Sequence, residues 1–213
     1  RSMGYLDSAI LNCLARLGWS KGDNEVFYLD DLIRDFDIKD IQKAGAIFDM
    51  QKLDFLNSQH LANLNLLDFK NYLKPFMDKL SISMESHKHC DLLIESMRTS
   101  ANNLQGIAIN LKAYYLDEIE YDERAIKKFV IPNSSILNTI LTKFELIDLW
   151  NEENLDQALK EIRESLNIKI PQVNQPIRIA LTGSTNSPSL GLTMFLFGKD
   201  ESLKRIQNLI NHV

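Results

Sequence analysis

An all-α fold is predicted by two observations. Apolar residues recur every three to four positions along almost the whole chain, and the one strand-like alternation, Ile177 to Leu181, has no partner strand. The absence of an internal repeat sets a solenoid aside. The elements follow in order. Leu6, Ile10, Leu11, Leu14 and Leu17 form an apolar stripe closed by Gly18. Leu29, Leu32, Ile33 and Phe36 form a second, short one. Asp49 is placed to cap a third helix with Leu53 and Leu56 inward. A helix from about Leu64 is expected to break near Pro75, because proline costs roughly 3 kcal/mol in a helix interior. Residues 88–120 predict two helices parted between Ser100 and Asn103. Ile131-Pro132 reads as a stop. Asn133 to Ser135 then cap a helix carrying Ile136, Leu137, Ile140, Leu141, Phe144 and Ile147. Asn154 opens the next, with Leu155, Ala158, Leu159, Ile162 and Leu166 inward. Asn167 to Gln175 reads as a joint, and Pro188–Phe197 with Asp200–His212 as a helical hairpin around Gly198.

Composition narrows the class. A hydrophobic content of 45% in 213 residues excludes disorder and supports one large core or several small ones. No apolar run approaches the ~20 residues of a membrane span, and the first residues lack a signal-peptide pattern. Cys13 and Cys90 are expected to be ordinary buried thiols in a reducing, cytoplasmic setting. The net charge of −5 has the wrong sign for a generic nucleic-acid binder. It is unevenly spread. From Lys169 onward there are five basic and two acidic residues, a net of +3, which leaves −8 on the remainder. A locally basic tip on an acidic body suits a protein that grips RNA at chosen points and equally fits chance, because a bias of three charges is small; charge alone does not indicate RNA.

The stretch Pro176 to Gly191 is the most informative. It reads as an apolar run, a polar turn and a Ser-Pro step into a helix, with Ser187 as N-cap and Pro188 at the first helical position. The helical N–H groups that follow would be free to meet oxygen acceptors, although the residues alone fit an ordinary strand-turn-helix connector with a capped helix better. Arg178, close by in sequence, carries a fork of donors suited to the same partners.

The same stretch resembles a signature of bacterial-type glutamyl-tRNA synthetases, through Arg178, Ala180, Leu181, Thr182, Gly183, Pro188, Leu190 and Phe197-Gly198-Lys199. Gly4-Tyr5-Leu6, Ala9, Leu11-Asn12, Leu14 to Ser20 and Gly22-Asp23 form a second match. Ala46-Ile47-Phe48-Asp49, Lys52-Leu53 and Leu56-Asn57 form a third, with weaker echoes at Ala113-Tyr114-Tyr115 and Asp148 to Asn154. The five matches run in the family's order. The resemblance implies a stem-contact domain at residues 1–66, followed by helical anticodon-binding domains at 67–132 and 133–213. It implies that Arg178 contacts an anticodon base, that Ser187, Pro188 and Leu190 form a stacking ledge, that Thr182 shapes the turn, and that Lys199 lies among the RNA-binding residues. Arg98 and Asn102 fall where the family reads the third anticodon base. The sequence departs from the family there, which predicts relaxed discrimination against glutamine tRNA.

The family's catalytic signatures are absent. None of the four histidines frames an H-x-G-H pattern, and Lys79-Leu80-Ser81-Ile82-Ser83 is only half of a KMSKS-type loop. The implied chain is therefore a tRNA-binding portion, inactive alone and holding no cofactor. ATP and magnesium would serve the catalytic domain of the same enzyme. The expected partner is tRNA(Glu), mainly its anticodon arm, with no membrane contact and a monomeric state. A helical protein–protein module derived from that fold is the alternative. Three further features read as structural. His87-Lys88-His89-Cys90 is a solvated face with Cys90 inward, Asn133-Ser134-Ser135 is a cap, and the acidic group Asp117 to Glu123 is surface.

Overall fold

The structure, a computed structural model, describes every residue except Arg1, Lys43, Ala44 and Ala46, so Ala46 of the third matched segment lies outside the described residues. The order is α1 Asp7–Arg16, α2 Leu29–Asp35, α3 Met50–Ala62, α4 Leu66–Lys79, α5 Cys90–Met97, α6 Leu104–Leu111, α7 Glu123–Ala125, α8 Ser134–Glu145, α9 Glu152–Leu166, α10 Ile170–Thr182, α11 Leu190–Phe197 and α12 Lys199–His212. Among the described residues the one β feature is an isolated Lys21–Asn24 bridge. The chain divides into two compact units. One holds the residues up to Met84 together with Ile94–Ile109, and the other holds Glu85–Leu93 with Asn110–Val213.

In the first unit α1 packs on α3, with Tyr5, Cys13, Leu53 and Leu56 between them. A small second cluster gathers Trp19, Phe27 and Leu32, with the Trp19 and Phe27 rings edge to face at 5.0 Å. Polar groups set the register. Asn57 accepts from the Leu6 N–H at 2.8 Å and donates to the Asn102 carbonyl at 2.6 Å. Buried Asn12 accepts from the Phe27 N–H at 3.0 Å, donates to the Glu25 carbonyl at 3.1 Å, and meets His60 Nε2 at 3.1 Å. Gly4 holds a φ of 85°, and a Cβ there would lie 2.5 Å from the Gln105 nitrogen, so only glycine allows this close approach.

In the second unit one core joins Leu137, Ile140 and Phe144 of α8, Leu155, Leu159 and Ile162 of α9, Ile177 and Leu181 of α10, Met194 of α11, and Ile206 and Leu209 of α12. α9 packs along α11, and α12 lies against α8 and α10.

Several sequence expectations are corrected. Ile177–Leu181 is helical. Buried Val173, Pro176, Ile177, Ala180 and Leu181 show a period of 3.6 once the window extends beyond five residues. The joint expected at 167–175 is accordingly already helix from Ile170. α4 runs through Pro75, which is exposed beside exposed Asn71, so the carbonyl left without its N–H partner meets water. Ile131-Pro132 does not stop the chain. A π turn at Ile126–Val130 tightens to a 3-10 turn at Ile131–Asn133 that feeds α8, and Asn133 donates to the Phe129 carbonyl at 2.8 Å instead of capping. α9 begins earlier than expected, capped by Asn151, which accepts from the Asn154 N–H at 2.9 Å. The α1 stripe faces differently too. Ala9, Asn12 and Cys13 are buried, whereas Leu11 and Leu14 are 42% and 51% exposed. On α2 only Leu32 is buried. Asp49 caps α3 as expected, and both cysteines are buried thiols outside any disulfide.

Burial holds the His60 imidazole below its usual range. The folded protein therefore binds fewer protons than the unfolded chain, and the stability tied to neutral His60 is complete above about pH 6.5 and is lost as pH falls below it. Thermal melts at pH 7.5 and 5.5 should show a lower midpoint at the acidic pH. His60→Gln should narrow that difference, and an unchanged difference would assign the effect to other groups.

Candidate nucleic-acid interface

The turn between α10 and α11 is built from both ends. α10 closes at Gly183, whose φ of 73° is left-handed and whose carbonyl accepts from the Asp122 N–H at 3.0 Å. A Cβ at Gly183 would lie 2.1 Å from the Glu120 carbonyl oxygen, so the turn requires glycine here. Thr182 Oγ1 donates to the Arg178 carbonyl at 2.9 Å and accepts from the Ser184 N–H at 3.4 Å. Ser184 Oγ accepts from the Asn186 N–H at 3.2 Å. These short bonds within the turn fix its course.

Arg178 closes the loop from α10. Its Nη1 donates to the Ser187 and Pro188 carbonyls, each at 2.7 Å, and to Ser187 Oγ. Ser187 Oγ also lies 3.0 Å from Thr193 Oγ1 on α11. Burial pulls the Arg178 guanidinium below its usual range, yet an arginine keeps its proton. Ser187 is therefore a clasp between α10 and α11 and not the N-cap. The cap is Ser189, which accepts from the Leu192 N–H at 3.3 Å and donates to Glu152 at 2.8 Å. Pro188 precedes the helix, and Leu190 is its first residue and buried. Thr185, Asn186 and Ser189 are the exposed residues of the turn.

The other end of α11 is held by Lys199 and Arg205. Lys199 donates to the Glu145 and Ile147 carbonyls, both at 2.8 Å, at the end of α8. Arg205 donates to the carbonyls of Ala113 at 2.9 Å, Leu181 at 2.6 Å and Leu116 at 2.6 Å, pairs with Glu201 at 2.6 Å, and stacks on Phe197. Trp150 donates to the Met194 carbonyl at 3.0 Å. Sequence reasoning missed Ser189, Thr193 and Arg205. Only Ser189 carried a signal, as a hydroxyl immediately before the helix.

Arg178, Thr182, Ser187 and Pro188 thus converge on one turn, with Leu190 beneath it and Lys199 at the far end of α11. Arg98 and Asn102 belong to the other unit. Arg98 is buried, donates to the carbonyls of Leu61, Ala62 and Leu64 and to Glu95, and lies over the Phe69 ring. Asn102 is exposed on the loop that follows. His87 and His89 do not sit on a solvated helix face. Both are half-buried, against Tyr115 and Phe195 respectively. Among the described residues no group of three or more His, Cys, Asp or Glu is placed to hold a metal ion, and no helix is long and apolar enough to cross a membrane.

Removing the clasp should loosen the turn. Arg178→Met keeps the stem but strips the donors from three oxygens, and a loss of about 1–3 kcal/mol is expected. Amide exchange over residues 184–189 should quicken at least tenfold, with Arg178→Lys restoring only part of the protection. Wild-type exchange rates in Arg178→Met would show that the turn is held by something else.

A family model for the anticodon binding domain matches residues 68–210. A glutamate–tRNA ligase of Ruthia magnifica subsp. Calyptogena magnifica is 32% identical over 211 residues, covering 99% of this chain and 46% of its own length. Glutamate–tRNA ligase 1 of Syntrophus aciditrophicus is 34% identical over 214 residues, covering all of this chain and 45% of its own length. The crystal structure of a glutamate tRNA ligase from Elizabethkingia meningosepticum superposes with a TM-score of 0.79 at 26% identity, over 98% of this chain and 41% of that one. Glutamate-tRNA synthetase from Elizabethkingia anophelis gives 0.75 at 26% identity, with the same shares covered. The chain spans about half the length of the curated relatives it matches. On these matches the chain belongs to the anticodon binding domain family, and over its length it is similar to part of the glutamate–tRNA ligases.

Proposed function

We propose that this chain is the tRNA-binding, anticodon-recognition part of a glutamyl-tRNA synthetase, whose grip on tRNA(Glu) supports ATP-dependent attachment of glutamate. The observation that carries the reading is the pre-shaped turn at 183–189, which lies inside the region matched by the anticodon binding domain. A base splayed from a loop is read by edge contacts and stacking, and these need a surface whose donors are already in place. In this reading the half-buried Ser187 and Pro188 flank an edge presented by Thr185, Asn186 and Ser189, while Arg178 and Thr182 act by holding its shape. Leu190 supports it from below, and Lys199 fixes the far end of α11. Asn102 offers an exposed amide in the first unit, with Arg98 anchoring the start of its loop. A neutral amide in place of a cation there agrees with relaxed rejection of glutamine tRNA.

Binding energy realised at the anticodon would position the acceptor end, so its effect on charging appears in a complete enzyme. ATP and magnesium would serve the catalytic domain of that enzyme, in the cytoplasm. Residues 1–66 would contact the tRNA stem, and 67–132 and 133–213 would form the anticodon-binding portions, in a monomer.

Binding of the protein to tRNA(Glu), and to the same tRNA with a changed anticodon, should differ at least tenfold in affinity across a salt series. Both should weaken as salt rises. Equal affinity for the two tRNAs would overturn the reading.

A further inference from the structure

A cleft of about 460 Å³ opens where α11 ends, well within the ~300–1,000 Å³ range of ligand sites. Its walls are the 86–89 segment, Trp150, and the end of α11 with Gly198 and Lys199. The His89 ring packs on Phe195 with centroids 5.0 Å apart. His87 Nδ1 accepts from the His89 backbone N–H at 3.1 Å, which gives the segment a defined shape. His89, Phe195 and Trp150 are each half-buried, so each keeps ring surface toward the opening. Lys88 is exposed at the rim, and the tethered Lys199 lies on the wall. No carboxylate lines the cleft, although the chain as a whole carries a net charge of −5. α11 is eight residues long, so the cleft lies about 12 Å along the helix from the turn at 183–189.

Ring faces for stacking beside a cation for the backbone are the two elements of single-stranded nucleic-acid sites. We propose that this cleft holds an unpaired nucleotide of the bound RNA, its base on the His89–Phe195 face and its phosphate at Lys88. The inference rests on the tRNA-binding reading above. A bound strand then meets the protein at both ends of α11, with one end reading bases and the other gripping a neighbouring nucleotide by a face that every base possesses. Contact of this kind is tolerant of sequence.

The test measures affinity for tRNA(Glu) and for the anticodon-changed tRNA with three variants, each checked for an unchanged thermal midpoint. His89→Ala should weaken both complexes about fivefold or more, and by the same factor, because stacking is not base-specific. His89→Phe, which keeps a ring, should restore affinity. Lys88→Ala should lower the slope of log affinity against log salt by about one. If wild type discriminates between the anticodons while His89→Ala and Lys88→Ala bind as wild type does, the cleft is not an RNA site and the reading of the turn survives. If wild type binds neither tRNA, both the cleft and the reading fall together.

Discussion

Arg205 lies with its guanidinium out of water and each of its three nitrogens bonded to the protein. It gathers the carbonyls of Ala113, Leu116 and Leu181, pairs with Glu201, and rests on the Phe197 ring 4.4 Å away. Three separate pieces of chain meet at this one planar group: the segment after α6, the end of α10, and the junction of α11 with α12. A buried cation left without such partners would cost several kcal/mol, so the three pieces are held to one geometry. The turn that starts at Gly183 leaves α10 two residues after the carbonyl Arg205 holds, so its starting point is fixed by this contact.

The same device recurs, and it follows from the fold class. Every α-helix ends with carbonyls that lack an intrahelical partner, and an all-α chain has many such ends and few strands to satisfy them. Arg98 takes the last carbonyls of α3, Lys199 those at the end of α8, and Arg205 one at the end of α10. A cation at a helix C-terminus is favoured further by the helix dipole. Arg178 is the variant in which the acceptors belong to a turn. Nη1 faces the Ser187 and Pro188 carbonyls, which no helix bond satisfies at that point.

This explains what the sequence made legible and what it hid. The helices α8, α9, α11 and α12 show in the residues because their apolar positions recur at helical spacing, such as Leu137, Ile140, Leu141 and Phe144 of α8, whereas the short apolar run Ile177–Leu181 hid α10. α1 misleads because it packs through small and polar residues, Ala9, Asn12 and Cys13, and leaves Leu11 and Leu14 outside. No scale of hydrophobicity puts an asparagine inward. Asn12 is there because it answers the Phe27 N–H and the Glu25 carbonyl, fifteen and thirteen residues away. At the site, the turn itself was visible from its Gly, Ser and Pro. The direction of Arg178 was not, because a cation beside a polar turn reads equally well as facing a ligand or facing the backbone. Distances decide between those, and they belong to the tertiary structure.

The excess of basic residues from Lys169 onward is compatible with a tip that grips RNA, and equally with chance. Arg178, Lys199 and Arg205 all donate to backbone oxygens within the protein, and Lys204 lies 3.1 Å from Glu201. These bonds fix where the three cations sit without cancelling their charge, and Lys169 remains exposed. What the turn shows to solvent is Thr185, Asn186 and Ser189, all neutral. Phosphate contacts position a nucleic acid and base contacts specify it. Under the proposed function, a turn whose exposed groups are neutral suits base contacts better than phosphate contacts. Discrimination by the turn would then be largely insensitive to salt, since hydrogen bonds from fixed neutral groups release few counterions. Arg178, Lys199 and Arg205 act on the backbone, whose geometry they fix around the turn and both ends of α11.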